Sequence, residues 1–303
     1  MLKRLVLACA ALTLLASCSH KGSSDKPEPE PVPVQWTKTT IRPGLTWYSY
    51  RGYETVSRAN QVINVLELDF ELSGLKLEFQ YYPAKTTLTT ACSQTEGAVA
   101  GTNASFGTPH TFIRTGGTTW CDLSGTNSDD VNWYKHEAAI CFDGVSQFDF
   151  INCEGDPVGA IDTYRALTWP NVFSSRPLMI EDSKDVIWAS RLKSFNSVLA
   201  PRTAVALTAE GTVLFVTVDG RWYGMANGIT IADLRDFLRL NFNPTYAIAM
   251  DGGGSTTMFI KGYGKDGIVN YPCNSNGASS EEYAEYEGTF TERSLPTFFI
   301  IKE

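Results

Sequence analysis

The chain has 303 residues, 43% of them hydrophobic and 12% aromatic, with 25 basic residues against 33 acidic and a formal net charge of −8. This apolar content excludes a disordered chain and suffices for one large buried core. The acidic balance is a poor match for nucleic acid, whose binding rests on neutralising phosphates with basic patches.

Lys3 and Arg4 open the chain, and residues 5–16 form an apolar run too short to span a bilayer. Leu15-Ala16-Ser17-Cys18 follows directly. The arrangement resembles a bacterial lipoprotein signal, in which residues 1–17 are removed and Cys18 becomes the lipidated N-terminus. The expected location is therefore the bacterial cell envelope, on the outer membrane, with the lipid at Cys18 as the membrane contact. Residues 18–35 carry Pro27, Pro29, Pro31 and Pro33 alternating with Glu and Val. Proline at every second position blocks helix and central strand and favours extended polyproline geometry, so residues 19–34 reach roughly 50 Å. The segment reads as a spacer, and residues 36–303 are left as a single domain.

Of the seven cysteines, Cys9 and Cys18 belong to the leader. Cys92, Cys121, Cys141, Cys153 and Cys273 remain, an odd set with no Cys-x-x-Cys pair, which argues against a zinc knuckle or redox motif. The body holds only His110 and His136, and His136-Glu137 lacks the second histidine of a zincin helix. No oxygen and histidine cluster demands a metal, and no cofactor is expected.

Short β-type runs dominate the body. Residues 62–70 read as a strand and residues 75–81 alternate apolar and polar, with Ser73-Gly74 between them as a hairpin signal. Residues 98–101 read as a buried strand leading to Asn103-Ala104-Ser105-Phe106. Residues 108–175 are rich in Gly, Asn, Asp and aromatics and predict loops and short strands. Residues 203–208 and 212–218 form a hairpin around Ala209-Glu210-Gly211. Thr230-Ile231-Ala232-Asp233 resembles a capping box, and Ile231, Leu234, Phe237 and Leu238 share one face of the helix it opens. Asn243-Pro244 ends that helix, residues 246–250 and 257–260 are strands, and residues 295–301 close the chain as a third. The fold class expected is α+β, with mixed, mainly antiparallel sheets and a few packed helices in one compact domain.

Between two of those strands runs Asp251-Gly252-Gly253-Gly254-Ser255-Thr256. Three glycines permit positive φ and let bare amides approach a ligand, and successive N–H groups can form a nest for an oxyanion. A tight hairpin accounts for the same glycines without any ligand. A P-loop is excluded, because no lysine follows and a strand rather than a helix comes next. A nucleophilic Ser255 lacks both the Gly-x-Ser-x-Gly spacing and a marked histidine. Arg202 opens one strand of the 203–218 hairpin and Asp219 and Arg221 close the other, so the three sit near one sheet end. Glu292 and Arg293 precede the last strand, and Asn103 leaves the strand at 98–101. Each taken alone has an ordinary structural reading as an ion pair or a turn cap.

Read together, Asn103-Ala104-Ser105-Phe106, Pro201-Arg202-Thr203-Ala204-Val205, Val218-Asp219-Gly220-Arg221, residues 228–234, Met250-Asp251-Gly252-Gly253-Gly254-Ser255-Thr256 and Glu292-Arg293 resemble the ordered motifs of the phosphodiester glycosidase family. The resemblance spans residues 40–303. It implies hydrolysis of a sugar-1-phosphodiester, such as a GlcNAc-1-phosphodiester-like glycan; a non-catalytic glycan-binding surface lipoprotein is the alternative. Implied catalytic residues are Asp251, with Asp219 or Glu292 as second carboxylate. Implied substrate and phosphate contacts are Arg202, Arg293, Arg221, Asn103, Gly252, Gly253, Gly254, Ser255 and Thr256. Trp222 and Tyr223 either stack on a sugar ring or pack in the core. The family motif often reads Asn-Gly-Gly-Phe-Phe where this chain has Asn103-Ala104-Ser105-Phe106-Gly107, a departure beside the implied sugar contact.

Overall fold

The computed structural model describes residues 35–123, 137–153, 157–186, 193–222, 224–273 and 291–303. The leader, Cys18, the proline spacer through residue 34, His136 and Tyr223 lie outside the described residues. The first half contains β1 (Gln35–Arg42), β2 (Leu45–Glu54), β3 (Ala59–Leu68), α1 (Phe70–Ser73), β4 (Lys76–Thr86), α2 (Leu88–Gln94), β5 (Ala98–Asn103), β6 (Ile113–Thr115), β7 (Thr118–Cys121), β8 (Ala138–Phe142) and β9 (Phe148–Asn152). Then come α3 (Pro157–Ala166), β10 (Asn171–Ser175), β11 (Leu178–Glu181), β12 (Lys184–Asp185), α4 (Lys193–Ser197), β13 (Arg202–Leu207) and β14 (Val213–Val218). The chain ends with α5 (Ile231–Phe242), β15 (Tyr246–Ala249), β16 (Met258–Ile260) and β17 (Leu295–Lys302).

These strands build three sheets, with orders β1-β2-β3-β14-β13-β15-β11-β12, β7-β6-β10-β8-β9 and β16-β5-β17-β4. The described strand pairs are antiparallel. The fold is α+β as expected, and the described residues fall within one compact unit, Pro31–Glu303.

Burial explains why the runs at residues 203–208 and 212–218 are apolar on both faces. Val205, Val213 and Phe215 face a core shared with the other two sheets, while Ala204, Ala206, Leu214 and Val216 face α5. The α5 residues buried there are Ile231, Leu234, Phe237 and Leu238, the face expected from their spacing. Thr230 caps the helix by accepting from the Asp233 amide (3.1 Å), and Asn243 ends it in the left-handed region. Phe299 of β17 sits where the three sheets meet, with its ring 5.1–5.9 Å from those of Phe79, Phe142, Phe173 and Phe215.

One local expectation is corrected, and one alternative reading is set aside. Ser73-Gly74 does not make a hairpin: Asp69 accepts from the Leu72 amide, one turn of α1 follows, and Gly74 closes it. The turn moves the chain from the eight-stranded sheet into the four-stranded one, so β3 and β4 belong to different sheets. The glycine segment is likewise not a hairpin, because β15 pairs with β13 and β11 whereas β16 pairs with β5. In both places the turn residues are right and the partner strand is wrong, since sheet choice rests on non-local burial. The helix α3, inside a stretch read as loops and strands, carried only weak periodicity.

Phe299→Ala removes the ring on which all three sheets converge. It is expected to cost about 3–5 kcal/mol, read as a lowered denaturation midpoint with cooperative unfolding retained.

Candidate active site

The site forms where β13 begins and β5, β14 and β15 end. Arg202 pairs with Val218, and Ala204 pairs with Ala249, which brings the hairpin ends beside the strand that leads into the glycine turn. The Met250 amide then donates to the Thr203 carbonyl (2.8 Å) and the Gly253 amide to the Pro201 carbonyl (2.8 Å), so the turn continues along β13. Gly252 passes so close that a Cβ there would lie 2.8 Å from the Pro201 carbonyl oxygen, and Gly253 has φ of +62°. Those two positions demand glycine for steric and conformational reasons. Residues Gly253–Ser255 form a single 3₁₀ turn.

Asn103 holds this turn to the four-stranded sheet. Its side chain is fully buried. The Nδ2 group donates to the Asp251 carbonyl (2.6 Å), and Oδ1 accepts from the Thr203 hydroxyl (2.8 Å) and the Thr257 amide (3.1 Å). The Asp251 amide donates to the Ala104 carbonyl (3.1 Å). Asp251 is therefore fixed at both its backbone ends while the residue stays half-buried. Thr256 is buried and accepts from the Thr203 hydroxyl (3.4 Å). Ser255 is buried too, and its amide donates to the Gly252 carbonyl (3.2 Å). With the Gly253 and Ser255 amides bonded to carbonyls, an anion nest made of every amide in the turn is not what forms.

Arg202 is buried, with Nε donating to the Ile229 carbonyl (3.1 Å) and Nη2 to the carbonyls of Phe195 and Val198 (both 2.7 Å). Among the described residues its Nη1 has no acceptor. Burial, with Arg176 and Arg221 nearby, pulls this guanidinium down to about 10, which leaves it charged at neutral pH. Arg221, in the left-handed region at φ of +66°, donates to the Cys273 carbonyl (3.4 Å) and lies against Gly253. The Trp222 indole is buried and donates to the Tyr271 carbonyl (3.0 Å), packing with Val62, Ala226 and Cys273 in the core.

The other expected carboxylates have different surroundings. Asp219 is fully buried, accepting from Asn270 Nδ2 (2.8 Å) and the Tyr271 amide (2.9 Å). Asn270 in turn donates to the Thr256 carbonyl (3.1 Å) and accepts from the Met258 amide (2.8 Å), so Asp219 braces the far side of the glycine turn. Glu292 precedes β17 and accepts from the Thr89 amide of α2 (3.2 Å). Burial pushes its carboxyl up, against the opposing pull of the Thr89 hydrogen bonds. Arg293 beside it is exposed. The contacts thus bring together Asn103, Arg202, Arg221, Asp251 and the glycine turn, with Asp219 beneath them, whereas Glu292 is engaged at α2.

Thr203, Asn270, Arg176 and Phe195 also belong to this neighbourhood and were not marked by the sequence. Thr203 lies inside the Arg-Thr-Ala-Val segment and was legible only as a strand residue; the others stand in stretches with no motif signal. Among the described residues no group of three or more His, Cys, Asp and Glu is placed to hold a metal, and no disulfide is formed. Burial pushes the Cys141 thiol up to about 12.

The sequence profile described as phosphodiester glycosidase matches residues 97–302, more than half of the chain, and the protein belongs to that family. The fold resembles the catalytic domain of zebrafish N-acetylglucosamine-1-phosphodiester α-N-acetylglucosaminidase, auto-inhibited by its pro-peptide, with TM-score 0.58 and 15% identity over 93% of this chain and 85% of that one. A hypothetical protein from Synechocystis aligns with TM-score 0.58 and 13% identity over 92% of this chain and 65% of that one. A putative exported protein from Burkholderia pseudomallei K96243 aligns with TM-score 0.53 and 11% identity over 93% and 99%. At these identities the three likenesses speak to the fold alone. No curated protein sequence matches the chain.

Burial raises the Asp219 carboxyl from 3.8 to about 7, outweighing its two hydrogen bonds. The folded state therefore holds this proton more tightly than the unfolded chain. Stability is expected to fall as pH rises from about 4 to about 7 and then level off, by at most roughly 1.4 kcal/mol per unit. Asp219→Asn should flatten that slope in denaturant titrations; an unchanged slope would show that Asp219 ionises normally.

Proposed function

We propose that this protein hydrolyses a sugar-1-phosphodiester, acting on a GlcNAc-1-phosphodiester-like glycan. The observation that carries the reading is the half-buried Asp251, clamped at both backbone ends and followed by Gly252, where a Cβ would lie 3.8 Å from Arg202 Cδ. Family membership supports it independently.

The chemistry suits that pair. The leaving group is a phosphate monoester, whose second pKa is about 6, so it departs as an anion with little help from a general acid. What the site must supply is a carboxylate at the anomeric carbon and positive charge at the phosphate. Asp251 takes the first role, as nucleophile, base or stabiliser of the oxocarbenium-like transition state. Arg202 takes the second with Nη1, and Arg221 adds charge from across the turn. Asp219 and Asn103 act by positioning, since their side-chain atoms are engaged within the protein. Ser255 and Thr256 are both buried, and the Thr256 hydroxyl accepts from Thr203, so in this reading they shape the turn. Glu292, which accepts from the Thr89 amide, and Arg293 have no role in this reading.

The purified protein is expected to release free sugar from an N-acetylglucosamine-1-phosphodiester. Asp251→Asn should lower that rate by on the order of 10²-fold or more at an unchanged melting temperature. Full activity in the variant would remove Asp251 from the mechanism, and substrate binding with no product in the wild type would favour a glycan-binding lipoprotein instead.

We further propose that the protein is exported and anchored in the bacterial cell envelope by lipid on Cys18, with the proline-rich spacer holding the domain off the membrane. In cell fractionation the wild type should sediment with membranes and Cys18→Ala should not. Membrane retention of the variant would refute the anchor.

A further inference from the structure

Arg176 reaches the site from a third direction. It precedes Pro177, whose carbonyl accepts from the Ala249 amide (3.0 Å) at the end of the strand that delivers Asp251. The side chain is buried, with Cζ 4.5 Å from the centre of the Phe195 ring and 5.4 Å from that of Phe106. Arg202 places its own Cζ 4.6 Å from the same Phe195 ring. Two guanidiniums thus share one aromatic ring, which attracts cations through its quadrupole and holds them in an apolar setting.

Arg221 completes the group from the end of β14. Its Nη2 would lie 3.2 Å from a Cβ at Gly253, and a Cβ at Gly252 would lie 3.8 Å from Arg202 Cδ, so two of the three arginines flank the glycine turn. The hydrogen bonds of Arg202 go to backbone carbonyls, which leave its charge whole. Arg176 and Arg221 both act to pull the Arg202 guanidinium down, as like charges in one field do.

We propose that Arg176, Arg202 and Arg221 form one anion subsite whose preferred ligand is a phosphomonoester dianion rather than a phosphodiester monoanion. This rests on the phosphodiester glycosidase reading. A diester carries one negative charge and a monoester about 1.5 to 2 at neutral pH, and attraction to a fixed positive cluster grows with ligand charge. In the reaction the C1–O bond breaks and its electron pair goes to the phosphate oxygen. Water supplies the hydroxyl that ends on C1, and its remaining proton leaves to solvent. Charge therefore accumulates on the phosphate as the bond breaks, and a cluster tuned to the dianion stabilises the transition state more than the ground state. Its consequence is product inhibition by the departing phosphomonoester.

The test is calorimetric titration of the purified protein with methyl phosphate and dimethyl phosphate, which differ by one methyl group and one ionisation. Wild type should bind methyl phosphate more tightly, by on the order of tenfold. Arg176→Gln, or Arg176→Met if the first variant does not fold, should lose most of that preference at an unchanged melting temperature. Equal affinity for the two probes, binding of neither, or an undiminished preference in the folded variant would overturn the proposal. Monoester preference without sugar release would sink the proposed activity and leave the subsite standing. Sugar release without that preference would sink the subsite alone.

Discussion

The buried carboxamide of Asn103 is the constraint on which the site depends. It joins β5 of the four-stranded sheet, β13 of the eight-stranded sheet and the glycine turn through three hydrogen bonds made away from water. An amide presents donor and acceptor from one rigid plane, which a carboxylate or hydroxyl of that size cannot do. Because each partner is itself buried or fixed, losing one end would leave an unsatisfied group, at a cost of about 1–3 kcal/mol. The position of the Asp251 backbone is thus set by the relative register of two sheets.

Around that joint the charges are sorted by solvation. Asp251 is half-buried. Asp219 is sealed, its oxygens occupied by Asn270 and the Tyr271 amide, and its work is to brace the turn from behind. The guanidinium of Arg202 is immobilised by three carbonyls, so under the proposed role it would lose little side-chain entropy on binding phosphate. This pairing of an immobilised cation with a half-buried carboxylate along one turn suits the proposed reaction, whose leaving group already carries its charge. It fits less well a glycosidase that must protonate a poor alkoxide leaving group with a second acid.

Much of the fold was legible locally. The α5 face, its Thr230 cap, the β13–β14 hairpin and the buried β5 follow from periodicity and turn chemistry. The errors share one cause. Ser73-Gly74 and the glycine segment were correctly read as chain reversals, but each reversal changes sheets, and local pattern carries no record of which distant edge a strand will pair with. The site was legible in the same uneven way: Asp251, Arg202 and Arg221 stood in motifs, whereas Arg176, Phe195 and Asn270 enter from segments with no signature.

By itself the sequence determined which residues are strand, helix and turn over much of the body, that Gly252 and Gly253 stand where bare backbone is needed, and which family the ordered motifs resemble. Those properties rest on side-chain size, backbone freedom and short-range spacing, which are written in consecutive residues. Only the tertiary structure decided that Asp219 is sealed, that Asn103 is a joint, that Trp222 packs in the core, and that Arg176 shares a ring with Arg202. Each of these depends on burial and charge summed over segments far apart in the chain, and such quantities exist only once the sheets have packed.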